Sequence, residues 1–596
     1  MGKKKKKQAE KSENGKSSSN AWVWVLLIII ILLALFLRLR FVSKASEIPF
    51  NFLSDSSQYF SWAKHIISGK DFIDVYHQSP LYPFFLALVF SLFGLSIHHA
   101  LIVQAILGTI SCFLVFWLSI KIFKNQWVGV ISALLMAIYG PAIFYNGMLL
   151  MPTLLTFINL IFLIVLLKAL EDNKGWLWAV AGLILGLSAL ARATILLFFP
   201  FLMIFLVGRA WREYRLKEER ANTNMGPFLW HHCLRPLTIP LLCASLVILP
   251  ATLRNYLKGK DLVLVAANAG ITFYEGNNPW ATGQYMDPPG LDLGEDFNGG
   301  KIAGYYEGRD LLPSEISKFW FMESWRFIKD NPSQYLRLLG KKLAYFWNRY
   351  EIPNAENIYF AEQYSEILRL PLLSFLLVGS LGLLGLMIAL HKGVSHVFIV
   401  VLFLISYMVA NVLFFITARY RLPVTPILII FMAYFIVSIK KEILDKGSLR
   451  ILTWIGIGIV AFSFVSFPLK GLDPRNDYAC SYANIGILYH LTGNPQKAIR
   501  YFQMSIEYDP TYAKSYNNMG AAYYAMGNKE EAMKYWRMGL EIDPQSPLIH
   551  QNLGNMYIRE GQLEKAKSAF KIAVDQMPYS IKLKELEDEL GLNSAD

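Results

Sequence analysis

Long, almost uninterrupted runs of apolar residues dominate the first three quarters of the chain. Their lengths, roughly 17–25 residues, are those that a helix needs to cross a bilayer. We therefore predict an all-α polytopic membrane protein with about eleven transmembrane helices. The predicted spans are 21–42, 97–123, 127–145, 148–168, 175–191, 193–208, 236–254, 370–390, 394–416, 421–439 and 450–467.

Two connections between these spans are much longer than the others, namely the short loop (residues 43–96) and the long loop (residues 255–369). Within the short loop, residues 59–67 form an apolar helical stripe that is typical of a helix lying in the membrane interface. Residues 80–95 are apolar but marginal in length for a span, which favours a re-entrant or interfacial segment.

Lysine and arginine in the short connections indicate the orientation. Basic residues at 3–7, 121–124, 168–174, 209–220, 392 and 440–450 all fall on one side of an eleven-span topology. By the positive-inside rule this side is cytoplasmic. We expect residues 1–20 to be a disordered basic cytoplasmic tail, and both loops and the C-terminal region to lie outside. The expected location is a bacterial inner membrane, with the C-terminal region periplasmic or extracellular.

The C-terminal region carries a repeat of 34 residues. A repeat of this length with small residues in fixed register is the tetratricopeptide pattern. We predict three repeats, at 479–512, 513–546 and 547–580, and a polar capping helix that completes an α-solenoid extending to residue 596. The residues in register are Gly486, Gly520 and Gly554; Tyr489, Tyr523 and Tyr557; Gly493, Gly527 and Gly561; Ala498, Ala532 and Ala566; Pro510, Pro544 and Pro578.

Composition agrees with the membrane assignment and narrows the function. Of the 596 residues 54% are hydrophobic and 17% charged, with a mean hydropathy of +0.36. The net charge of +13 lies largely in the short connections, and no nucleic-acid-binding motif accompanies it. The four cysteines form neither a disulfide framework nor a metal-binding pattern.

Charged residues at the predicted outer surface are the candidates for chemistry. Asp55 in the short loop fits a helix N-cap, with Gln58 completing a capping box, and a rigid carboxylate also suits a general base. Four arginines lie at the outer ends of predicted spans, against the positive-inside bias. A cationic cluster at the outer surface fits a lipid phosphate group. For any single arginine, a side chain that extends from the apolar region to the interface is the usual explanation. These arginines are Arg192, Arg254, Arg419 and Arg421.

One stretch of the long loop, residues 268–283, is rich in glycine, asparagine and aromatic residues. This composition suits sugar hydroxyls and ring faces, but it also fits an ordinary turn-rich loop. We predict that seven residues bind substrate: Tyr59, His77, Tyr82, Tyr274, Glu275, Asn277 and Asn278.

Over about residues 20–440 the chain resembles the GT-C superfamily of lipid-carrier-dependent glycosyltransferases, in particular the bacterial branch related to protein O-mannosyltransferases and aminoarabinose transferases. The resemblance rests on Asp55 followed by residues 78–83 (QSPLYP), on 190–192 (LAR), on 254–256 (RNY) leading to 274–279 (YEGNNP), and on 418–423 (ARYRLP). It implies that Asp55 is the catalytic base and that the donor is a polyprenyl-phosphate-linked sugar. Many relatives have a second acid in this loop or near the connection between the third and fourth spans. Here Ser56 follows Asp55, and residues 145–148 contain no acid. A divalent metal therefore lacks a supporting carboxylate pair, and no metal site is predicted. Glu47 and Asp71 of the same loop are candidates for a second acid, without positional support.

The implied reaction is an inverting transfer to an acceptor protein, or to an envelope glycan or lipid, on the outer face. Three alternatives remain open: an en-bloc oligosaccharide ligase, a lipid-linked sugar transporter, and a membrane-anchored repeat scaffold. We expect the repeats to recruit the acceptor, so that a chain truncated after Lys470 retains donor binding. The alternative is that they stabilise the long loop by packing on it.

Overall fold

A computed structural model describes residues 2–45, 55–70, 75–218, 225–291, 293, 296–354, 356–442, 445 and 447–590, with side chains described from Ala21 onward. The described residues are predominantly helical and contain no β-strand; a lone bridge pairs Tyr139 with Leu373. The N-terminal helices are α1 (Gly2–Ala45), α2 (Asp55–Ser68), α3 (Leu81–Phe93), α4 (Ile97–Phe123), α5 (Gln126–Ala137), α6 (Gly140–Asn146), α7 (Pro152–Asp172), α8 (Gly175–Ala191), α9 (Phe198–Glu218), α10 (Met225–Leu229) and α11 (Arg235–Gly259).

The long loop is itself helical, and a second group of apolar helices follows it. The helices of the loop are α12 (Ala269–Gly276), α13 (Gly300–Glu307), α14 (Pro313–Asp330), α15 (Pro332–Trp347) and α16 (Ile358–Ala361). The following group is α17 (Phe375–His391), α18 (Val397–Leu413), α19 (Ala418–Arg421), α20 (Thr425–Glu442) and α21 (Ser448–Ser466).

Among the described residues, seven helical stretches have the length and apolar composition of membrane spans: Ala21–Ala45, Ile97–Phe123, Pro152–Asp172, Ala193–Arg215, Trp230–Gly259, Ala418–Lys440 and Ser448–Ser466. Each corresponds to one predicted span. The other four predictions fall on shorter apolar helices, α5, α8, α17 and α18. α2 and α3 pack on each other in the short loop. Helix α1 also includes residues 2–20, for which the sequence predicts disorder, and the side chains of that tail lie outside the described part.

The span predicted at 127–145 is not one continuous helix. It is divided between α5 and α6 at Ile138 and Tyr139, immediately before Gly140 and Pro141. Proline lacks the backbone donor that would continue the helix. The buried Arg38 guanidinium donates to the carbonyls of Met136 and Ala137, at 3.2 and 3.1 Å, and so satisfies the broken end.

The tetratricopeptide repeats are present as paired antiparallel helices. They are α22 (Pro474–Leu491), α23 (Pro495–Tyr508), α24 (Ala513–Ala525), α25 (Lys529–Ile542), α26 (Pro547–Arg559) and α27 (Leu563–Gln576), followed by α28 (Ile581–Glu589). In each pair the first helix presents a glycine to an aromatic ring of the second. A Cβ atom on Gly486, for example, would come within 2.4 Å of the Phe502 ring. The glycine at this register therefore permits the close helix contact.

The first repeat packs on the end of the long loop. Tyr350 donates to Asp477 over 2.6 Å, and Tyr478 donates to the carbonyl of Tyr359 over 2.8 Å. Burial raises the pKa of Asp477 to about 6.

The end of the third repeat packs on the beginning of the same loop. Tyr579 contacts four aromatic residues, and its hydroxyl forms a 2.5 Å hydrogen bond with that of Tyr274. The ring centroids lie 5.4–6.3 Å from that of Tyr579 for Tyr274, Trp280, Tyr306 and Trp320. The repeat array thus contacts the long loop at both ends, as the packing alternative requires.

Replacing Tyr579 by alanine should release the third repeat from the long loop. Loss of an aromatic side chain in such a cluster costs about 2–4 kcal/mol. Hydrogen–deuterium exchange should therefore quicken in residues 269–330, whereas Tyr579→Phe, which keeps the ring and loses one hydrogen bond, should have a smaller effect. Unchanged exchange in both variants would show that this contact does not hold the loop.

Candidate functional site

A cavity of about 1050 Å³ lies where three apolar helices end against α2 and the long loop. Its apolar lining comes from the starts of α7 and α9 and from the end of α18, and its polar lining from both loops and from α19. Five of the predicted site residues line it: Asp55, Tyr59, Arg192, Glu275 and Arg419. The remaining seven, namely His77, Tyr82, Arg254, Tyr274, Asn277, Asn278 and Arg421, lie outside the lining.

Asp55 is the first residue of α2, where the helix dipole favours a negative charge. One carboxylate oxygen accepts a hydrogen bond from Arg419 at 2.7 Å, and the other accepts from Gln78 at 3.1 Å. Arg419 is 7% exposed. The ion pair therefore joins the short loop to α19 inside a largely desolvated site.

Two guanidinium groups share the ring of Tyr420. The Arg192 Cζ atom lies 3.3 Å from the ring centroid and the Arg419 Cζ atom 5.0 Å. Arg192 sits at the break between α8 and the 3-10 turn Ala193–Leu197, which directs its side chain to the cavity. Within the described part of the chain, the Arg192 guanidinium has no hydrogen-bond or ion-pair partner, so its donors remain available to an anion.

Arg254 and Arg421 are engaged elsewhere. The Arg254 Cζ atom lies 4.4 Å from the centroid of the Tyr76 ring. Arg421 is 2% exposed, pairs with Glu351 at 2.8 Å and donates to the carbonyls of Phe346 and Asn348. The four predicted arginines are therefore not one cluster, because only Arg192 and Arg419 meet in the cavity.

The cavity lining also contains two further acidic residues, Glu275 and Asp287. Glu275 is 6% exposed, and burial, reinforced by Asp287 and Asp55, raises its pKa well above the ordinary value. Tyr285 donates to Asp287 over 2.7 Å, and burial raises the pKa of this tyrosine as well. A protonated carboxyl group both donates and accepts hydrogen bonds, as recognition of sugar hydroxyls requires.

The two predicted asparagines that follow α12 hold the helix in place. Asn277 donates to the carbonyls of Phe273 and Leu413, both at 2.8 Å, and accepts from the buried Lys342 at 2.9 Å. Asn278 donates to the backbone carbonyl of Tyr274, and the hydroxyl of Tyr274 forms a hydrogen bond with that of Tyr579. Gly276 approaches the end of α18 so closely that a Cβ atom would lie 2.1 Å from the carbonyl oxygen of Phe414.

Aromatic residues of the short loop support α2. Tyr82 is fully buried and donates to Gln104 over 2.6 Å, and its ring packs edge-on against Tyr59, 5.1 Å away. Burial raises the pKa of Tyr59 well above its usual value. The His77 ring stacks on Phe297 at 5.0 Å, and burial lowers its pKa to about 4, so that it is neutral at physiological pH.

Several lining residues were not predicted. Tyr420 lies between the two arginines of the 418–423 motif. An aromatic residue next to arginine in the sequence is the signal that could have indicated a ring stacked on a guanidinium group. Tyr285 and Asp287 carry no local pattern that distinguishes them from other loop residues. Among the described residues no three His, Cys, Asp or Glu side chains are grouped closely enough to hold a metal ion. Glu47 and Asp71 lie outside the described residues.

Because Glu275 is buried, we expect the difference in stability between wild type and Glu275→Gln to depend on pH. Its raised pKa means that the folded state favours the protonated form, so the stability that it contributes is lost as the pH rises above 4.5 and through the folded-state pKa. Glu275→Gln stays neutral, and its melting temperature should therefore rise relative to wild type as the pH is increased from 4.5 to 8. A pH-independent difference would contradict the burial of an ionisable group.

Comparison with known proteins supports this architecture. Residues 77–226 match the family model described as dolichyl-phosphate-mannose-protein mannosyltransferase. Residues 479–512, 513–546 and 548–575 match tetratricopeptide repeat models. No curated protein shows significant sequence similarity to the chain. Among solved structures, ArnT from Cupriavidus metallidurans bound to undecaprenyl phosphate is similar at 13% identity and a TM-score of 0.38, over 90% of this chain and 80% of that one. The chain thus joins a region that matches the dolichyl-phosphate-mannose-protein mannosyltransferase model over residues 77–226 to a C-terminal array that matches tetratricopeptide repeat models.

Proposed function

We propose that the protein transfers a sugar from a polyprenyl-phosphate carrier to an acceptor hydroxyl, and that the cavity beside Asp55 is the active site. The observation that carries this proposal is the Arg192 guanidinium, which faces the cavity next to Arg419. Two cations and one paired carboxylate leave this wall with an excess of positive charge. A phosphate would balance that charge and accept the fork of donors that arginine presents.

The apolar lining suits the lipid part of such a donor. Met151, Leu155, Leu196 and Leu413 belong to helix ends that lead from the cavity towards the membrane-spanning segments. A polyprenyl chain lying along these ends keeps its phosphate at the level of Arg192. The matched family is named for a donor of this kind, a dolichyl-phosphate sugar.

The proposed chemistry is a single displacement. Asp55 takes the proton of the acceptor hydroxyl as the acceptor oxygen bonds to the anomeric carbon. The bond between that carbon and the phosphate oxygen breaks at the same time, and the electron pair leaves with the polyprenyl phosphate. Arg192 and Arg419 stabilise the charge that develops on the leaving group. Attack opposite the leaving group inverts the anomeric centre.

Glu275, Tyr285 and Asp287, which line the same cavity, would bind the sugar. Their carboxyl and phenol groups donate and accept hydrogen bonds, and the charge of Asp55 across the cavity favours a neutral Glu275. Arg254 and Arg421 would serve a different role from that expected from the sequence, because their contacts with Tyr76 and Glu351 hold the helix ends that form the site.

Asp55→Asn should abolish sugar transfer while retaining donor binding, because the amide keeps the shape of the carboxylate and cannot accept the proton.

Arg192→Ala should weaken donor use by about ten- to a hundredfold, since a charge-assisted hydrogen bond contributes roughly 1.5–3 kcal/mol. Arg254→Ala is the matched control, with a smaller effect. The assay measures sugar released from membrane lipid extract and the affinity for polyprenyl phosphate. Full transfer by Asp55→Asn would contradict the role of Asp55 as the base, whereas donor binding without transfer by the wild-type protein would point to a transporter instead.

We infer that the site and the repeats face the non-cytoplasmic side of the membrane, because the basic short connections lie on the other side. A phosphatase reporter that is active only outside the cytoplasm should therefore be active when fused after Asp596. If only a reporter that works in the cytoplasm were active at this position, the inferred orientation would be wrong, and transfer could not take place on the outer face.

A further inference from the structure

A second cavity, of about 610 Å³, lies between the long loop and the end of the repeat array. Its size is in the range of ligand-binding pockets. One wall comes from residues 287, 290, 291, 293, 296, 301 and 302 of the long loop. The other comes from α26, from residues 577, 579 and 580 and from α28. Asp287 and Leu293 line both this cavity and the one beside Asp55, so the two spaces adjoin.

The lining of the second cavity mixes aliphatic and charged side chains of both signs. The aliphatic and thioether residues are Leu291, Leu293, Ile302, Leu548, Met577 and Ile581; the charged and amide residues are Asp287, Asp296, Lys301, Gln551, Lys582 and Glu585. This mixture differs from the continuous apolar surface that a lipid requires. The aromatic residue of the lining, Tyr579, already packs against four rings of the long loop, which disfavours sugar stacking. A polypeptide, with backbone amides and varied side chains, fits these walls best.

The position of the second cavity suits an acceptor. The proposed donor lies along the ends of α7, α9 and α18, so the acceptor must approach Asp55 from another direction. The repeats supply part of the wall of the second cavity, and Asp287, the hydrogen-bond partner of Tyr285, lines both cavities. Arrays of this kind use extended concave surfaces to bind their partners.

We propose that the second cavity binds an extended segment of an acceptor polypeptide and directs its hydroxyl-bearing residue past Asp287 towards Asp55. This inference rests on the proposed glycosyltransferase function and adds to it a polypeptide substrate and its entry route. It also gives the two ends of the array different roles. Both ends fix the array to the long loop, and the third repeat in addition forms part of the acceptor site.

The test compares full-length wild type with Leu548→Trp and with Leu491→Trp. Leu548 is 38% exposed and lines the second cavity, so tryptophan there fills the space without entering a core. Leu491 is 77% exposed, lies at the end of α22 and lines neither cavity. The probe is a fluorescein-labelled pool of degenerate 11-residue peptides with one central threonine, followed by fluorescence anisotropy in nanodiscs. Undecaprenyl phosphate and a chito-oligosaccharide are measured in parallel.

We expect the peptide pool to bind wild type and Leu491→Trp within twofold of each other, and to bind Leu548→Trp at least about tenfold more weakly. Binding of undecaprenyl phosphate should be equal in all three proteins. Equal peptide affinity for Leu548→Trp would overturn the proposal, and so would binding of the chito-oligosaccharide in place of peptide. Wild type that binds undecaprenyl phosphate but no peptide would refute the acceptor site alone, whereas absence of both would refute the glycosyltransferase proposal as well.

Discussion

The ion pair between Asp55 and Arg419 joins two segments that are 364 residues apart and fixes the geometry of the site. Both side chains are largely removed from water, and loss of either partner would leave a buried charge uncompensated, which typically costs 3–5 kcal/mol. Such a pair contributes little net stability compared with apolar packing. Its retention in a cavity is understandable if both groups act on a ligand, as the proposed base and phosphate-binding roles require.

Contacts of the same kind connect this pair to the repeats. Arg421 follows Arg419 by two residues and pairs with Glu351, next to Tyr350, which bonds Asp477 of the first repeat. At the other end, Tyr274 bonds Tyr579, and the adjacent Glu275 lines the cavity. Because both routes consist of direct contacts, the repeat array forms part of the structure that supports the site. A role only in recruitment, as the sequence favoured, does not account for these contacts, although the two roles are compatible.

Hydrophobic run length and the 34-residue register predicted the membrane helices and the repeats, because both patterns reflect local periodic constraints. The break at Ile138 and Tyr139 was missed, although Pro141 is a local signal that ends a helix; the contact of Arg38 with the carbonyls of the broken end comes from another helix and has no local pattern. Among the predicted site residues, Asp55, Arg192 and Arg419 line one cavity, and their positions near helix ends had indicated them; their catalytic and phosphate-binding roles stay predictions. Arg421, Tyr274 and Asn278 share the same motifs but lie outside the lining, because neighbouring residues on a short helix point in different directions. Tyr285 and Asp287 depend on how the long loop folds back, which no local pattern encodes.

The central claim is that the cavity between Arg192 and Arg419 holds a polyprenyl phosphate whose first isoprene units lie against the ends of α7, α9 and α18. Photo-crosslinking tests it most directly, with a polyprenyl phosphate that carries a diazirine on the isoprene nearest the phosphate, followed by mass-spectrometric mapping of the adducts. We expect adducts within residues 150–155, 196–200 or 410–414 that excess unlabelled polyprenyl phosphate suppresses. Adducts confined to the exposed faces of α1 or α21, or adducts that are insensitive to competition, would contradict it.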